Sequence, residues 1–307
     1  MEINFSRILF YLKPHIKKHW VSLSLVFIGY GAGILFSLIF KPYIYKEIVD
    51  VLISGGPRDE ILTQALHLGG IIVISIVIYT LGYRIGEYAS SYFQSNVMKE
   101  LYNSTFKRLL KHSYSFFTNN FSGSIVAKSK RFNRSFEVFS DVITFQVWAS
   151  ILTLTGVIIV LLIKAPVLGY IFLFWGIAYI AITILFIQKK IEYDLLEAEA
   201  DSLVTGKLSD AILNILNIKI FSSDTKEQET FEKATNIEEQ RRRRAWYFAG
   251  FQNMAQSVLM GILQVVVIFV SIRMWYAGTL TVGMAVMVQT YAINLFDILW
   301  ELGRSLT

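Results

Sequence analysis

Six stretches of this chain contain no Asp, Glu, Lys or Arg: residues 20–40, 65–83, 142–163, 165–188, 245–272 and 274–296. About 20 apolar residues rising 1.5 Å each cross a hydrocarbon core of roughly 30 Å, so every one of the six is long enough to span a bilayer. Between them polar residues gather in two long segments and three short ones. In the first long segment Phe93, Val97 and Leu101 recur every fourth residue, and Phe132, Phe136, Phe139 and Ile143 recur at three- and four-residue steps. Both periods are helical, which predicts that the spans run on as helices outside the membrane, projecting roughly 35 to 45 Å as paired arms. The predicted architecture is an all-α membrane protein of six transmembrane helices with long extra-membrane extensions. The helices cover approximately 20–53, 63–112, 124–163, 165–207, 225–273 and 279–307, after a short amphipathic elbow helix in residues 1–19.

The ends of the two hairpins break that helical pattern. Ser113-Tyr-Ser-Phe-Phe-Thr-Asn-Asn-Phe-Ser-Gly123 offers hydroxyl and amide side chains that compete for backbone hydrogen bonds, and a glycine that permits a reversal. The second break, near residues 208–223, carries Ile212, Leu213, Ile215, Leu216, Ile218, Ile220 and Phe221, too apolar for a solvated loop tip. Asp224 and Glu227 then read as a capping pair that opens the next helix. Apolar tips held far from the membrane read as docking surfaces, the plainer alternative being that they pack on each other or are local turns.

Charge decides the orientation. Of the 29 Lys and Arg residues, five lie in the three short connections: Lys41, Lys46, Arg58, Lys164 and Arg273. The rest fall in residues 1–19, 84–141, 189–244 and the tail, so the positive-inside rule puts the termini and both hairpins in the cytoplasm. The multi-pass protein is expected in a bacterial cytoplasmic membrane, with lipid as its first partner. The formal net charge of +6 follows this topology and needs no nucleic acid to explain it. A hydrophobic content of 54% and a mean hydropathy of +0.50 agree. With no cysteine, disulfides, thiolate metal sites and Cys nucleophiles are excluded. The N-terminus mixes Ile8, Leu9, Leu12 and Ile16 with Arg7, Lys13, Lys17 and Lys18 around Pro14. That pattern fits a helix lying on the membrane surface better than a cleaved leader.

Four patches resemble a known family, the transmembrane domain of ATP-binding cassette (ABC) exporters, and the resemblance covers essentially the whole chain. Pro42-Tyr-Ile-Tyr-Lys-Glu-Ile-Val-Asp50 is similar to the end of the family's first helix. Ser115 to Gly123 resembles the segment at its first coupling helix, and Asp210 to Phe221 the second. Ala277-Gly-Thr-Leu-Thr-Val-Gly283 resembles the turn before the sixth. The resemblance implies that two six-helix halves pair, as a homodimer or heterodimer, with the fourth and fifth helices reaching across to the partner. Coupling helix 1 is then placed at Phe116, Phe117, Thr118, Asn119 and Asn120, and coupling helix 2 at Ile212, Leu213, Asn214, Ile215, Leu216 and Asn217. Both would dock into nucleotide-binding domains, where ATP and Mg act as cofactors and drive alternating access.

No Gly-x-x-x-x-Gly-Lys-Ser/Thr phosphate loop occurs in the chain; Gly123-Ser-Ile-Val-Ala-Lys-Ser129 lacks the second glycine and the spacing, and reads as helix. The ATPase domain of a fused exporter is therefore expected past Thr307, with the chain an isolated transmembrane portion; ATP hydrolysis would belong to the full-length protein, because no nucleophile and base stand together here. Arg134 and Asp297 depart from the family, where an acidic residue and a proline are frequent. Alternatives that stay open are a permease subunit or lipid flippase with a separate ATPase polypeptide, and a membrane scaffold or sensor that does not transport.

Polar residues within or beside spans are the candidates for a substrate path, because burying them in lipid is costly. Arg84 and Glu87 share a helical face, as do Gln252 and Gln256, and Asn294, Asp297 and Glu301 follow at three- and four-residue steps. The competing reading for Arg84, Asp297 and Glu301 is that charges simply resume where a span ends. Trp148 and Trp175 read as belt or packing residues. Arg241 to Arg244 fit a solvated basic helix or a lipid-headgroup contact. The acidic Glu197, Glu199 and Asp201 read as a solvated face. The four histidines are dispersed, without metal-ligand spacing, and the transported substrate is not legible.

Overall fold

The computed structural model describes residues 5–119, 122–221 and 224–305, and among these no strand occurs. Eleven α-helices and two π-helical segments follow one another: α1 Phe5–Lys18, α2 Trp20–Ile34, the π segment Leu35–Phe40, α3 Lys41–Leu52, α4 Arg58–Leu109, α5 Tyr114–Asn119, α6 Ser122–Asp141, the π segment Val142–Val147, α7 Trp148–Lys164, α8 Pro166–Leu213, α9 Ile215–Ile220, α10 Asp224–Tyr276 and α11 Val282–Ser305. Six helical rods among the described residues are long and apolar enough to cross a membrane. The protein is a multi-pass integral membrane protein. The helix of the second span begins at Arg58, ahead of the expected 63, and the fourth runs to Leu213. At 52 residues α4 is about 78 Å long, so span and extra-membrane arm are one rod.

The chain divides into two compact units, one holding residues 5–172 and 264–305 and the other Leu173–Leu263. In the first unit α2 and α4 meet backbone to backbone. A Cβ on Gly29 would lie 2.6 Å from the Gly86 nitrogen and 2.8 Å from the Gly82 carbonyl oxygen, so only hydrogen fits there. Gly29 and Gly33 on α2, like Gly82 and Gly86 on α4, are spaced four apart, the arrangement that lets membrane helices approach closely where no hydrophobic effect drives them together. Tyr30 and Tyr83 flank the crossing, 6.0 Å apart edge to face. The Trp148 indole donates to the Phe27 carbonyl at 3.1 Å, so this tryptophan ties α7 to α2.

The helical period in the arms is the packing period. Phe93, Val97 and Leu101 of α4 and Phe136 of α6 form a buried cluster with Leu12 of α1, and Phe132 packs against it. The elbow helix is thus part of this unit's core. It is fastened by Glu100, which accepts from Lys18 Nζ at 2.6 Å and pairs with His15 and His19 at 3.1 Å each. The Lys18 hydrogen bond holds the Glu100 carboxyl down at about 2, with the two imidazoles adding and partial burial opposing.

In the second unit, the parts of α8 and α10 within it pair along their length. Trp175 donates its indole N–H to the Leu259 carbonyl at 3.0 Å, Tyr193 stacks on Phe248 at 4.9 Å, and Phe186 meets Phe251 edge to face at 5.8 Å. Farther along, Arg242 reaches Glu197 at 3.2 Å and also pairs with Glu238, while Lys190 pairs with Asp194 at 2.8 Å.

Candidate translocation path and docking tips

The hairpin ends carry short helices. In the first hairpin, α5 is preceded by His112, whose ring stacks on Phe116 at 4.1 Å, and Phe116 meets Phe117 edge to face. Phe117 is exposed. Thr118 and Asn119 close the α5 backbone, and Asn120 lies outside the described residues. In the second hairpin the boundary differs from the sequence expectation. Ile212 and Leu213 end α8, Asn214 is the hinge, and the separate helix is Ile215–Ile220. The cause is local: the Asn214 side-chain amide donates to the Asp210 carbonyl at 2.9 Å with a φ of −101°, which ends α8 and lets α9 begin at the next residue. Lys219 pairs with Asp224 across the far end at 2.8 Å. Leu213 is 62% exposed, Leu216 74% and Phe221 76%, an apolar surface at the end of a long polar arm.

The predicted path residues fall into three groups. Arg84 and Glu87 form an ion pair on α4 with both side chains more than half exposed. Gln252 and Gln256 on α10 are buried, at 1% and 2% exposure. Gln256 donates to Thr183 Oγ1 of α8 at 3.2 Å, whereas neither polar atom of the Gln252 amide has a hydrogen-bond partner. In the first unit, the Asn294 amide donates to the Leu38 carbonyl at 3.3 Å, while Asp297 and Glu301 are exposed.

The Asn294 bond belongs to a polar seam that sequence reading missed. Pro42 brings no N–H to the turn before it, and the chain there is the π segment Leu35–Phe40. Two carbonyls of that segment are bonded from α11, Leu38 by Asn294 and Ile39 by the buried Tyr291 hydroxyl at 2.8 Å. The outer end of the seam is closed by Asp50 of α3. Its carboxylate accepts from the Gly283 N–H at 2.9 Å and from the Thr281 hydroxyl at 2.9 Å, and pairs with Lys46 at 3.2 Å. Thr281 accepts in turn from the Met284 N–H at 3.1 Å, so a carboxylate and a hydroxyl cap the α11 N-terminus together. A Cβ on Gly283 would lie 2.2 Å from the Lys46 carbonyl oxygen, which is why glycine stands in the first turn of α11. Just before, Gly278 at φ +72° reverses the chain after α10. The available signal was Pro42 together with Asp50 and the Thr281-Val-Gly283 turn; nothing in one sequence pairs residues this far apart.

Comparison with known proteins decides the family. The family model described as the ABC transporter transmembrane region matches residues 24–299. The chain belongs to this family. A curated relative, the ATM1-type heavy metal exporter of Novosphingobium aromaticivorans, is 23% identical in an alignment of 280 residues that covers 85% of this chain and 43% of the relative. A solved structure of a bacterial Atm1-family ABC exporter with ATP bound superposes with a TM-score of 0.76 at 22% identity, covering 94% of this chain and 50% of that one. The ABC exporter transmembrane fold is therefore shared, and the chain spans about half the length of these relatives.

Proposed function

We propose that this chain is the transmembrane half of an ATP-driven exporter, that it works as a pair of halves, and that it couples to nucleotide-binding domains through α5 and α9. Family membership supports the general activity. The observation that carries the coupling assignment is the apolar surface of Leu213, Leu216 and Phe221, held outside the membrane span by α8 and α10. Such a surface is costly to leave in water and fits a groove on a second protein. The separate unit formed by residues of the fourth and fifth spans supports the expected crossover to a partner half. The charge distribution supports cytoplasmic termini and hairpins, and a cytoplasmic-membrane location. ATP and Mg would be held by the nucleotide-binding domain, and closure of those domains would switch the access of the path.

The test is made on this half assembled with its nucleotide-binding domains and partner in proteoliposomes. Leu216→Asp is expected to leave insertion and basal ATP hydrolysis intact and to uncouple hydrolysis from transport. Transport at the unmodified rate in both Leu216→Asp and Leu213→Asp would remove α9 from the coupling path.

A further inference from the structure

A groove of about 650 Å³ opens in the first unit where α1 turns into α2 beside α4. Lys18 and His19 stand at its rim, and Val21, Leu25, Ile85 and Tyr88 form its walls. These four wall residues are exposed in the folded chain. Trp20 opens the first uncharged stretch and Tyr83 closes the second, so the groove sits at the depth where hydrocarbon gives way to headgroups. We propose that it is a binding site for a glycerophospholipid of the leaflet on the α1 side, with the phosphate on Lys18 and His19 and an acyl chain along Val21, Leu25 and Ile85.

Three observations fit this occupant. The groove lies on a basic helix: α1 carries Arg7, Lys13, Lys17 and Lys18 and no carboxylate of its own, and Lys18 is 67% exposed while using one of its three ammonium protons on Glu100. The slot beneath is apolar, with Tyr88 and Tyr92 supplying phenol groups at interfacial depth. An extended peptide does not fit, because its N–H and C=O groups would be left unpaired in such a slot. The aliphatic hydroxyl in the lining, Ser22, already donates to the His19 carbonyl at 2.8 Å. Bound there, a lipid bridges α1, α2 and α4 and fastens the elbow helix to the first two spans.

The experiment uses the 307-residue chain in detergent, offered equal amounts of phosphatidylglycerol and phosphatidylcholine with the same acyl chains, and counts retained lipid by native mass spectrometry. Phosphatidylglycerol is expected to be retained about five-fold over phosphatidylcholine, since the choline headgroup cancels the phosphate charge that the basic residues of α1 sense. Val21→Glu, at an exposed wall position, should abolish that preference by setting a carboxylate beside the phosphate. Ala89→Trp, which fills the slot and leaves the rim charges in place, should lower retention of both lipids. Size-exclusion profiles matching the parent chain confirm that each variant is folded. Equal retention of the two lipids by the parent chain overturns the proposal, as does undiminished retention in both variants. Displacement of the bound lipid by glycerol phosphate alone also overturns it, since the site would then read a phosphate from solution.

Discussion

The two units of this protein reach helical packing by different means. In the first, helices touch through their backbones at Gly29, Gly82 and Gly86, and are stitched by side chain to carbonyl bonds and by the Asp50 cap. In the second, residues of α8 and α10 are held apart by aromatic side chains and bonded at a few points, and Gly250 and Gly261 would meet nothing within 4 Å if given a Cβ. Lipid tails are as apolar as leucine, so a membrane helix pair gains little from burial alone and must find close packing or hydrogen bonds. The first unit has both within itself. The second leaves Gln252 unbonded and Phe174, Leu185, Val258 and Ile262 exposed, which suits helices that complete their contacts elsewhere.

The largest effect that separates the units is a single methyl group. Gly29→Ala places a carbon against backbone atoms of α4 that cannot rotate away, and should cost about 1–3 kcal/mol. Gly261→Ala puts the same methyl into open space and, by helix propensity, should leave stability unchanged or raise it by up to about 1 kcal/mol. Thermal midpoints of the two variants in one detergent are the comparison. Equal shifts would show that the glycine contact does not distinguish the units.

Next in size is the Asp50 cap. Asp50→Ala removes a carboxylate that accepts from the Gly283 N–H and Thr281 and pairs with Lys46, and should lower stability by about 2 kcal/mol. Asp50→Asn keeps an acceptor for the first two and loses the charge, so a smaller loss is expected. Identical unfolding midpoints for Asn and Ala would mean that the cap bonds contribute nothing and the Lys46 pair carries the effect.

How much of this was legible follows the same division. The six spans, the arms and the elbow helix could be read because apolar runs and three- and four-residue periods record burial locally; Phe93, Val97, Leu101 and Phe136 are buried together as their spacing implies. The Gly-x-x-x-Gly pairs at 29 and 33 and at 82 and 86 were not singled out from the sequence, and nothing local says that one pair faces the other. The candidate second coupling segment was read from Ile212 because Ile212 and Leu213 are as apolar as Ile215 and Leu216, and only the Asn214 turn separates the helix Ile215–Ile220 from them. Trp148 and Trp175 read as belt or packing residues; both pack, and their indole N–H bonds to backbone carbonyls leave no sequence mark. Among the candidate path residues, spacing placed Arg84 with Glu87 and Gln252 with Gln256, but said nothing of exposure. The first pair lies open and the second is buried.

A smaller test sharpens the contrast within the second unit. Gln256→Leu breaks its bond to Thr183 and should cost about 0.6 kcal/mol, the average for such bonds between membrane helices. Gln252→Leu removes an amide with no partner and should be neutral or stabilising. Unfolding midpoints read both. A Gln252→Leu loss as large as that of Gln256→Leu would mean that the Gln252 amide is bonded in the working protein, by water or by another helix.

The least costly contact to break is the one that holds α1, and acid should break it without disturbing the spans. Glu100 lies in the arm of α4, beyond the second apolar stretch, and its carboxyl is held at about 2 against an ordinary 4.5, chiefly by the Lys18 hydrogen bond. A carboxyl depressed in the folded state stabilises docking at every pH above its unfolded value and loses that contribution as pH falls through 4.5 toward 2. A fluorophore on Lys13→Cys, unique because the chain has no other cysteine, reports release of α1 while helicity reports the spans. The signal should change between pH 4.5 and 2 at constant helicity, and Glu100→Gln should give the released signal at all pH values. A midpoint above pH 5, or an unchanged titration in Glu100→Gln, would assign the docking of α1 to the Leu12 cluster instead.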